Sequence, residues 1–240
     1  MPEVRRPVIS FASTKGGVGK TTLAYVLATA LSRRLSGSPG GQPPDIPDYR
    51  VACIDADPNR VLDAALRKTG YPDIFSTVGD GETLLPTIRD AQRRAGMVLI
   101  DLEGSANQAM LYACGKSDLV LIPAQPSAFD VAEAIKTVTV VRQAADLVGR
   151  EIPHRVVLTR TPVLRQRVAE HSRAQFAKAD LPVLPVELVE RVSFRLMTYT
   201  GKPPFVSEPG GGAAANVEAL VDAIAEILEL SIAQPVEAVS

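Results

Sequence analysis

The run Lys15-Gly16-Gly17-Val18-Gly19-Lys20-Thr21-Thr22 constrains this chain more than any other part of it. An apolar run, Val8–Ser13, leads into it, and a helical pattern over Thr21–Leu35 leaves it, so a buried strand turns through glycines into a helix. Gly16, Gly17 and Gly19 let the backbone wrap closely with its N–H groups turned inward. Those N–H groups, with Val18 between them and Thr22 behind, open a helix whose N-terminus attracts an anion. Lys20 then reaches the β- and γ-phosphates of a nucleotide, and Thr21 ligates Mg²⁺. The pattern predicts a site for ATP with Mg²⁺.

The rest of the chain supports that start with alternation. Val51–Asp55, Met97–Leu102, Leu119–Pro123 and Val156–Thr159 read as buried strands, with a weaker one near Val183–Val186. Helical patterns over Arg60–Thr69, Phe129–Val148 and Arg165–Ala179 fall between or after them. This predicts an α/β fold: a doubly wound, mainly parallel sheet flanked by helices, of the P-loop NTPase kind. Its 240 residues suit one domain over 1–240, with a core of Val, Leu, Ile and Ala, since aromatics are 5% and tryptophan is absent. Residues 36–49 are rich in Gly and Pro and read as a surface loop. After Gly210-Gly211-Gly212, Val217, Leu220, Val221, Ile224, Ile227 and Leu228 recur at helical spacing and predict a closing amphipathic helix. The tail over 233–240 is expected to fray.

Two acidic positions stand where phosphoryl transfer needs them. Asp55 and Asp57 close the second strand and alternate onto one side of it. Asp57 also suits the N-cap of the helix after Pro58. Met97-Val98-Leu99-Ile100-Asp101 is an apolar strand ending in an acid, which places Asp101 to hold Mg²⁺ through water. Glu103 in the following Leu102-Glu103-Gly104-Ser105 reads equally as a water-activating group or a solvated acid. His154 and His171 belong to no Cys- or Ser-centred motif. Cys53 and Cys114 read as reduced, buried thiols.

A net charge of −1 leaves any nucleic-acid surface to a local patch. No signal-peptide pattern and no apolar run long enough for a membrane span is present, so the cytoplasm is the expected compartment.

The phosphate turn departs from the ordinary pattern at one point. Thr14 stands where that pattern has glycine, and Lys15 precedes the glycines. In this the sequence resembles the deviant Walker A ATPases, which include the ParA, MinD and nitrogenase iron-protein branches. The resemblance implies that Lys15 reaches across a homodimer to the partner's phosphates. It equates Asp55-Ala56-Asp57-Pro58 with a switch in which Asp57 orients the attacking water and Asp55 supports the metal shell. Ser117–Pro123 followed by Gln125–Asp130 resembles a ParA segment. The turn at Leu158-Thr159-Arg160-Thr161 resembles one that borders the base, so Thr159 and Arg160 are expected at the nucleotide. The likeness covers nearly the whole chain and is nearest to the small ParA subgroup, ParF-like partition ATPases and VirC-type proteins of T-DNA transfer.

The other branches fit less well. A MinD-like membrane helix is basic, whereas Ala213–Ser240 has no Lys or Arg. The iron-protein branch needs a cysteine pair in its switches, and Cys53 lies within a strand. Between 142 and 202, Arg142, Arg150, Arg155, Arg160, Arg165, Arg167, Arg173, Lys178, Arg191, Arg195 and Lys202 outnumber the acids, which suits non-specific DNA. The resemblance thus implies a nucleoid-associated ATPase that dimerises on ATP, binds DNA and segregates or positions it with a centromere-binding or cargo adaptor protein. A VirC-type transfer accessory and a metabolic ATP-dependent enzyme are the alternatives.

Overall fold

The computed structural model describes residues 6–36, 49–105, 107–163, 167–230 and 232. Strand and helix alternate along them: β1 (Val8–Phe11), α1 (Lys20–Ser36), β2 (Tyr49–Ala56), α2 (Val61–Thr69), β3 (Ile74–Val78), α3 (Leu84–Arg94), β4 (Ala95–Leu102), α4 (Gln108–Lys116), β5 (Leu119–Ala124), α5 (Ala128–Val148), β6 (His154–Thr161), α6 (Arg167–Lys178), β7 (Leu188–Val189), α7 (Val192–Thr200), α8 (Pro204–Ser207) and α9 (Gly212–Leu228). The strands form one seven-stranded sheet in the order β3-β2-β4-β1-β5-β6-β7. Every pairing is parallel.

The central strands are apolar on both faces because both faces are covered. On one, Leu23 and Leu27 of α1 pack with Val217, Leu220 and Ile224 of α9. On the other, Ile88 of α3, Met110 of α4, Val138 of α5 and Phe176 of α6 share a second core. The apolar stripe expected of the closing helix is therefore buried in the core it shares with α1. Arg34 is buried at the end of α1, where its guanidinium meets Glu218 at 2.9 Å and Asp222 at 2.8 Å, both on α9.

Departures from the sequence reading have local causes. Val183–Val186 is not a strand: Val183 makes an isolated bridge to Val156, and the last strand forms at Leu188–Val189. Pro182 and Pro185 lack the N–H donors a ladder would need there. The outer edge of β7 is closed by Asn216, whose side-chain amide bonds the Val189 N–H and the Glu187 carbonyl. The second helix begins at Val61 rather than Arg60, and the fifth at Ala128. β3, α3, α4, α7 and α8 are additional to the sequence reading, although Leu84, Ile88 and Ala91 of α3 fall on one buried face at helical spacing. Most of the Gly/Pro-rich stretch, 37–48, and the tail 233–240 lie outside the described residues, as does Arg165.

The order reverses around β1, whose chain leaves toward β2 on one side while β4 passes to β5 on the other. Such a point opens a crevice at the carboxyl ends of the strands. Register fills it: Phe11 stands beside Asp101, and Asp101 beside Asp55.

Candidate functional site

The phosphate turn lies in that crevice, between β1 and the start of α1 at Lys20. Gly17 (φ 75°) and Gly19 (φ 98°) hold left-handed backbone that residues with a side chain avoid. The loop after β4 closes on the turn so tightly that a Cβ at Gly104 would stand 2.8 Å from the Gly16 nitrogen. The Thr159 hydroxyl donates to the Val18 carbonyl at 2.7 Å and fixes the turn from the far side.

Lys20 is buried, and its ammonium donates to the Lys15 carbonyl at 3.2 Å. Burial lowers its pKa, opposed by Asp101, Asp57 and Glu103. Lys15 points elsewhere: its ammonium pairs with Asp130 at 2.9 Å and keeps 38% of its side chain exposed. Asp130 is the third residue of α5. Ser127 caps that helix by accepting the Asp130 N–H at 3.1 Å, while its hydroxyl donates back to the carboxylate. The likeness of the Gln125–Asp130 segment gives Asp130 no role; its Ser-x-x-Asp spacing is the signal that could have found it.

Asp101 is 1% exposed, and neither of its carboxylate oxygens has a hydrogen-bond partner of good geometry among the described residues. Burial pushes its pKa up to about 7; the Thr21 hydroxyl and Lys20 oppose that, and Asp55 adds to it. A buried carboxylate left this way costs free energy that a cation would recover. Asp101 and Thr21 therefore fit Mg²⁺. No group of three or more His, Cys, Asp or Glu that could hold a metal ion gathers among the described residues.

Asp55 is differently placed. Its two oxygens accept the N–H groups of Asp57 at 3.1 Å and Asp63 at 2.9 Å, so it caps the first turn of α2. Burial still raises its pKa, against those bonds. Asp57 is not the N-cap of α2. That position is Arg60, and Asp57 instead accepts the Asn59 N–H at 2.8 Å in an Asx turn. Its carboxylate is near enough to the Lys20 ammonium to stabilise that charge.

Beside Gly19 and Thr22 lies a cavity of about 400 Å³, lined by Thr159, Arg160, Glu190, Arg191, Phe194 and Arg195 among others. Thr159 and Arg160 thus stand beside the turn, with Arg160 in left-handed backbone (φ 52°) at a bulge against β7. The basic residues of the 142–202 segment do not form one patch. Arg160, Arg191 and Arg195 surround this cavity, whereas Arg142 and Arg155 line another at the opposite, N-terminal end of β6. Arg173 is paired with Glu187 at 2.7 Å.

His154 donates Nδ1–H toward the Ile152 carbonyl at 3.0 Å, and His171 is exposed on α6. Burial raises the pKa of both thiols. No helix among the described residues is long and apolar enough to cross a membrane.

The VirC1 protein family model matches residues 7–203. Protein ParA of Rhizobium radiobacter is 29% identical over 216 residues, 88% of this chain and 91% of that protein. Protein virC1 of Rhizobium rhizogenes is 31% identical over 202 residues, 81% of each chain. The solved structure of a Cyanothece McdA variant in complex with ATP superposes with a TM-score of 0.73 at 19% identity, covering 96% of this chain and 98% of that one. These likenesses and the nucleotide-site geometry agree, and the chain belongs to the VirC1 family of ParA-like ATPases.

Proposed function

We propose that this protein is a single-domain, Mg²⁺-dependent ATPase that dimerises on ATP, binds DNA without sequence preference and positions it with a partner protein in the cytoplasm. The observation that carries this reading is the division of labour between two lysines. Lys20 already occupies the phosphate cradle, so Lys15 is not needed there in cis. It is held on Asp130, partly out in solvent, where a second copy's phosphates would compete for it. A cation supplied in trans to the transferring phosphoryl group acts as an arginine finger does. In this reading Gly16 to Thr22 cradle the phosphates, Thr21 and Asp101 hold Mg²⁺ with Asp55 behind them, and Asp57 orients water. Thr159 and Arg160 border the base. Mg²⁺ supplies charge neutralisation on the phosphates; the chain's own groups orient them and exclude solvent.

Arg160, Arg191 and Arg195 lie at the nucleotide edge, which a face-to-face dimer would duplicate. They support a DNA surface that depends on nucleotide, with strong salt dependence. Arg142 and Arg155, at the opposite end of the strands, would not respond to it.

The test is Lys15→Ala. Phosphate release is expected to fall at least ~1,000-fold, the lower end of the range for a cation supplied to the transition state, while Mg-ATP still binds. ATP-dependent dimerisation in sedimentation should disappear with it. Near-wild-type hydrolysis would overturn the reading. The VirC1 family match and the 31% identical virC1 relative favour a second reading, a DNA-transfer accessory ATPase with the same chemistry. Transfer genes beside this one, rather than a small basic DNA-binding gene, would decide for it. Hydrolysis that DNA leaves unchanged would point instead to a metabolic enzyme.

A further inference from the structure

Thr14, the one residue at which the phosphate turn breaks the ordinary glycine pattern, is tied to a single helix face. Its hydroxyl donates to Glu133 Oε2 at 2.7 Å. Its N–H donates to Thr137 Oγ1 at 3.1 Å, and that hydroxyl donates onward to the Glu133 carbonyl at 2.9 Å. The other Glu133 oxygen takes Lys136 at 2.8 Å. Residues 130, 133 and 137 follow one another at helical spacing along α5. The face that holds Thr14 is thus the face whose Asp130 holds the Lys15 ammonium. The next peptide is gripped from the other side, because Gly104 leaves no room beside the Gly16 nitrogen and Cα.

We infer that Thr14, through Glu133 and Thr137, is a positioning residue for Lys15. This rests on the reading of Lys15 as the group that acts in trans. A lysine side chain turns about four bonds, so its ammonium has a defined reach only if its backbone is fixed. Glycine at 14 would keep the N–H bond to Thr137 and leave the Lys15 N–H on the Ser13 hydroxyl at 3.2 Å, but it would lose the hydroxyl bond to Glu133 and gain backbone freedom. The Thr14 hydroxyl gives the residue before Lys15 a second anchor on α5, beside its own N–H bond to Thr137. When the ammonium leaves Asp130, only the side chain moves, and it sweeps a fixed arc toward the phosphates of the second copy. A displacement of the order of 1 Å in such a group costs roughly 100-fold in rate, which is why a single hydroxyl at this position matters to turnover.

The experiment compares Thr14→Val, Thr14→Ser, Glu133→Gln and Lys15→Ala in the full chain. It measures Mg-ATP affinity by equilibrium titration and kcat by phosphate release. Thr14→Val keeps the shape and the N–H but loses the hydroxyl. Its ATP affinity is expected to stay within about twofold, while kcat falls about tenfold, a partial misplacement on the scale above. Thr14→Ser restores kcat to within about twofold, and Glu133→Gln, which keeps an acceptor oxygen without the charge, falls between. A wild-type kcat in Thr14→Val overturns the inference. So does a parallel fall of affinity and kcat that Thr14→Ser does not repair, since that marks a purely structural residue. If Thr14→Val does not fold, the unchanged affinity and lowered kcat are read from Glu133→Gln. Lys15→Ala separates the two levels. If it hydrolyses normally, the trans reading fails whatever Thr14 does; if it is inactive while Thr14→Val is normal, only the positioning role fails.

Discussion

The two flanks of the phosphate turn hold the same kind of residue in opposite conditions. On the α5 flank Asp130 is 3% exposed, yet its oxygens take the Ser127 hydroxyl, the Lys15 ammonium and the Gln125 N–H. Burial alone would raise its pKa; those bonds and the nearby Lys15 charge outweigh burial and hold it low. On the β4 flank Asp101 is 1% exposed with no well-aligned partner among the described residues, and its pKa rises to about 7. One acid is complete within the fold. The other is left without a well-aligned partner among the described residues, as a carboxylate that takes a cation would be. In the proposed reading the site is finished on the side that holds Lys15 and open on the side where metal and phosphate would enter, an asymmetry that suits a nucleotide-triggered protein.

The strongest way to break this comparison is Asp101→Asn. If Asp101 is an orphan that a metal ion satisfies, removing its charge has two opposed effects. The nucleotide-free protein gains on the order of 2 kcal/mol, because a buried unpaired carboxylate is gone. Its Tm rises by several degrees, at roughly 2–4 °C per kcal/mol for a chain of this size. The additional rise that Mg-ATP gives the wild type is lost, and hydrolysis falls at least ~100-fold, as expected when a metal-held charge is removed from phosphoryl transfer. A nucleotide-free Tm that drops instead would show that Asp101 has a protein partner after all. Differential scanning fluorimetry with and without Mg-ATP reads the two stability effects, and phosphate release reads the third.

Asp130→Asn tests the finished flank and should do less. Lys15 loses its ion pair and becomes available at lower occupancy of the dimer. ATP-dependent self-association should shift to about five- to tenfold lower protein concentration, equivalent to roughly 1 kcal/mol for a partly exposed pair. The start of α5 loses a charge that favours its N-terminus, at a cost of about 0.5–1 kcal/mol of stability. Association that weakens by sedimentation equilibrium would mean that Asp130 serves the dimer rather than restraining Lys15.

How much of this is legible in the sequence follows the same divide. The open flank can be read because its residues sit at strand ends: Asp55 and Asp101 close apolar runs, and parallel register then puts them side by side. The turn itself is legible from glycine spacing and its two lysines. The finished flank is not. Asp130, Glu133 and Thr137 act on Thr14 and Lys15 from more than a hundred residues away, and periodicity in α5 says only which face is apolar. Asp57 looks like an N-cap in sequence because Pro58 resembles a helix start, whereas the chain makes one more turn first. The basic residues can be counted in sequence but not sorted, since their division between the two ends of the parallel strands depends on how the neighbouring helices and loops pack there.

That extra turn sets up the smallest test. After Asp57 the chain passes through Arg60 in left-handed backbone (φ 51°, ψ 38°), at the N-cap position of α2 but with no side-chain cap of its own. The cap comes from Asp55, through the Asp63 N–H. A residue with a Cβ held there costs about 1 kcal/mol, and glycine would not. Arg60 also lines a cavity of about 260 Å³ with Asp55, Asp57 and Asp80, so it stands among acids of the open flank. The two effects oppose each other, and Arg60→Gly weighs them. If backbone strain dominates, the variant is more stable by about 0.5–1 kcal/mol, or a few degrees in Tm, with nucleotide affinity unchanged. If the guanidinium dominates, stability falls by a similar amount and high salt narrows the gap to wild type, because screening weakens an exposed charge more than it relieves strain. The first outcome places Arg60 with Asp101, as strain stored on the side that nucleotide completes. The second would give the open flank a charge partner of its own and reduce the contrast between the two flanks to the single orphan at Asp101.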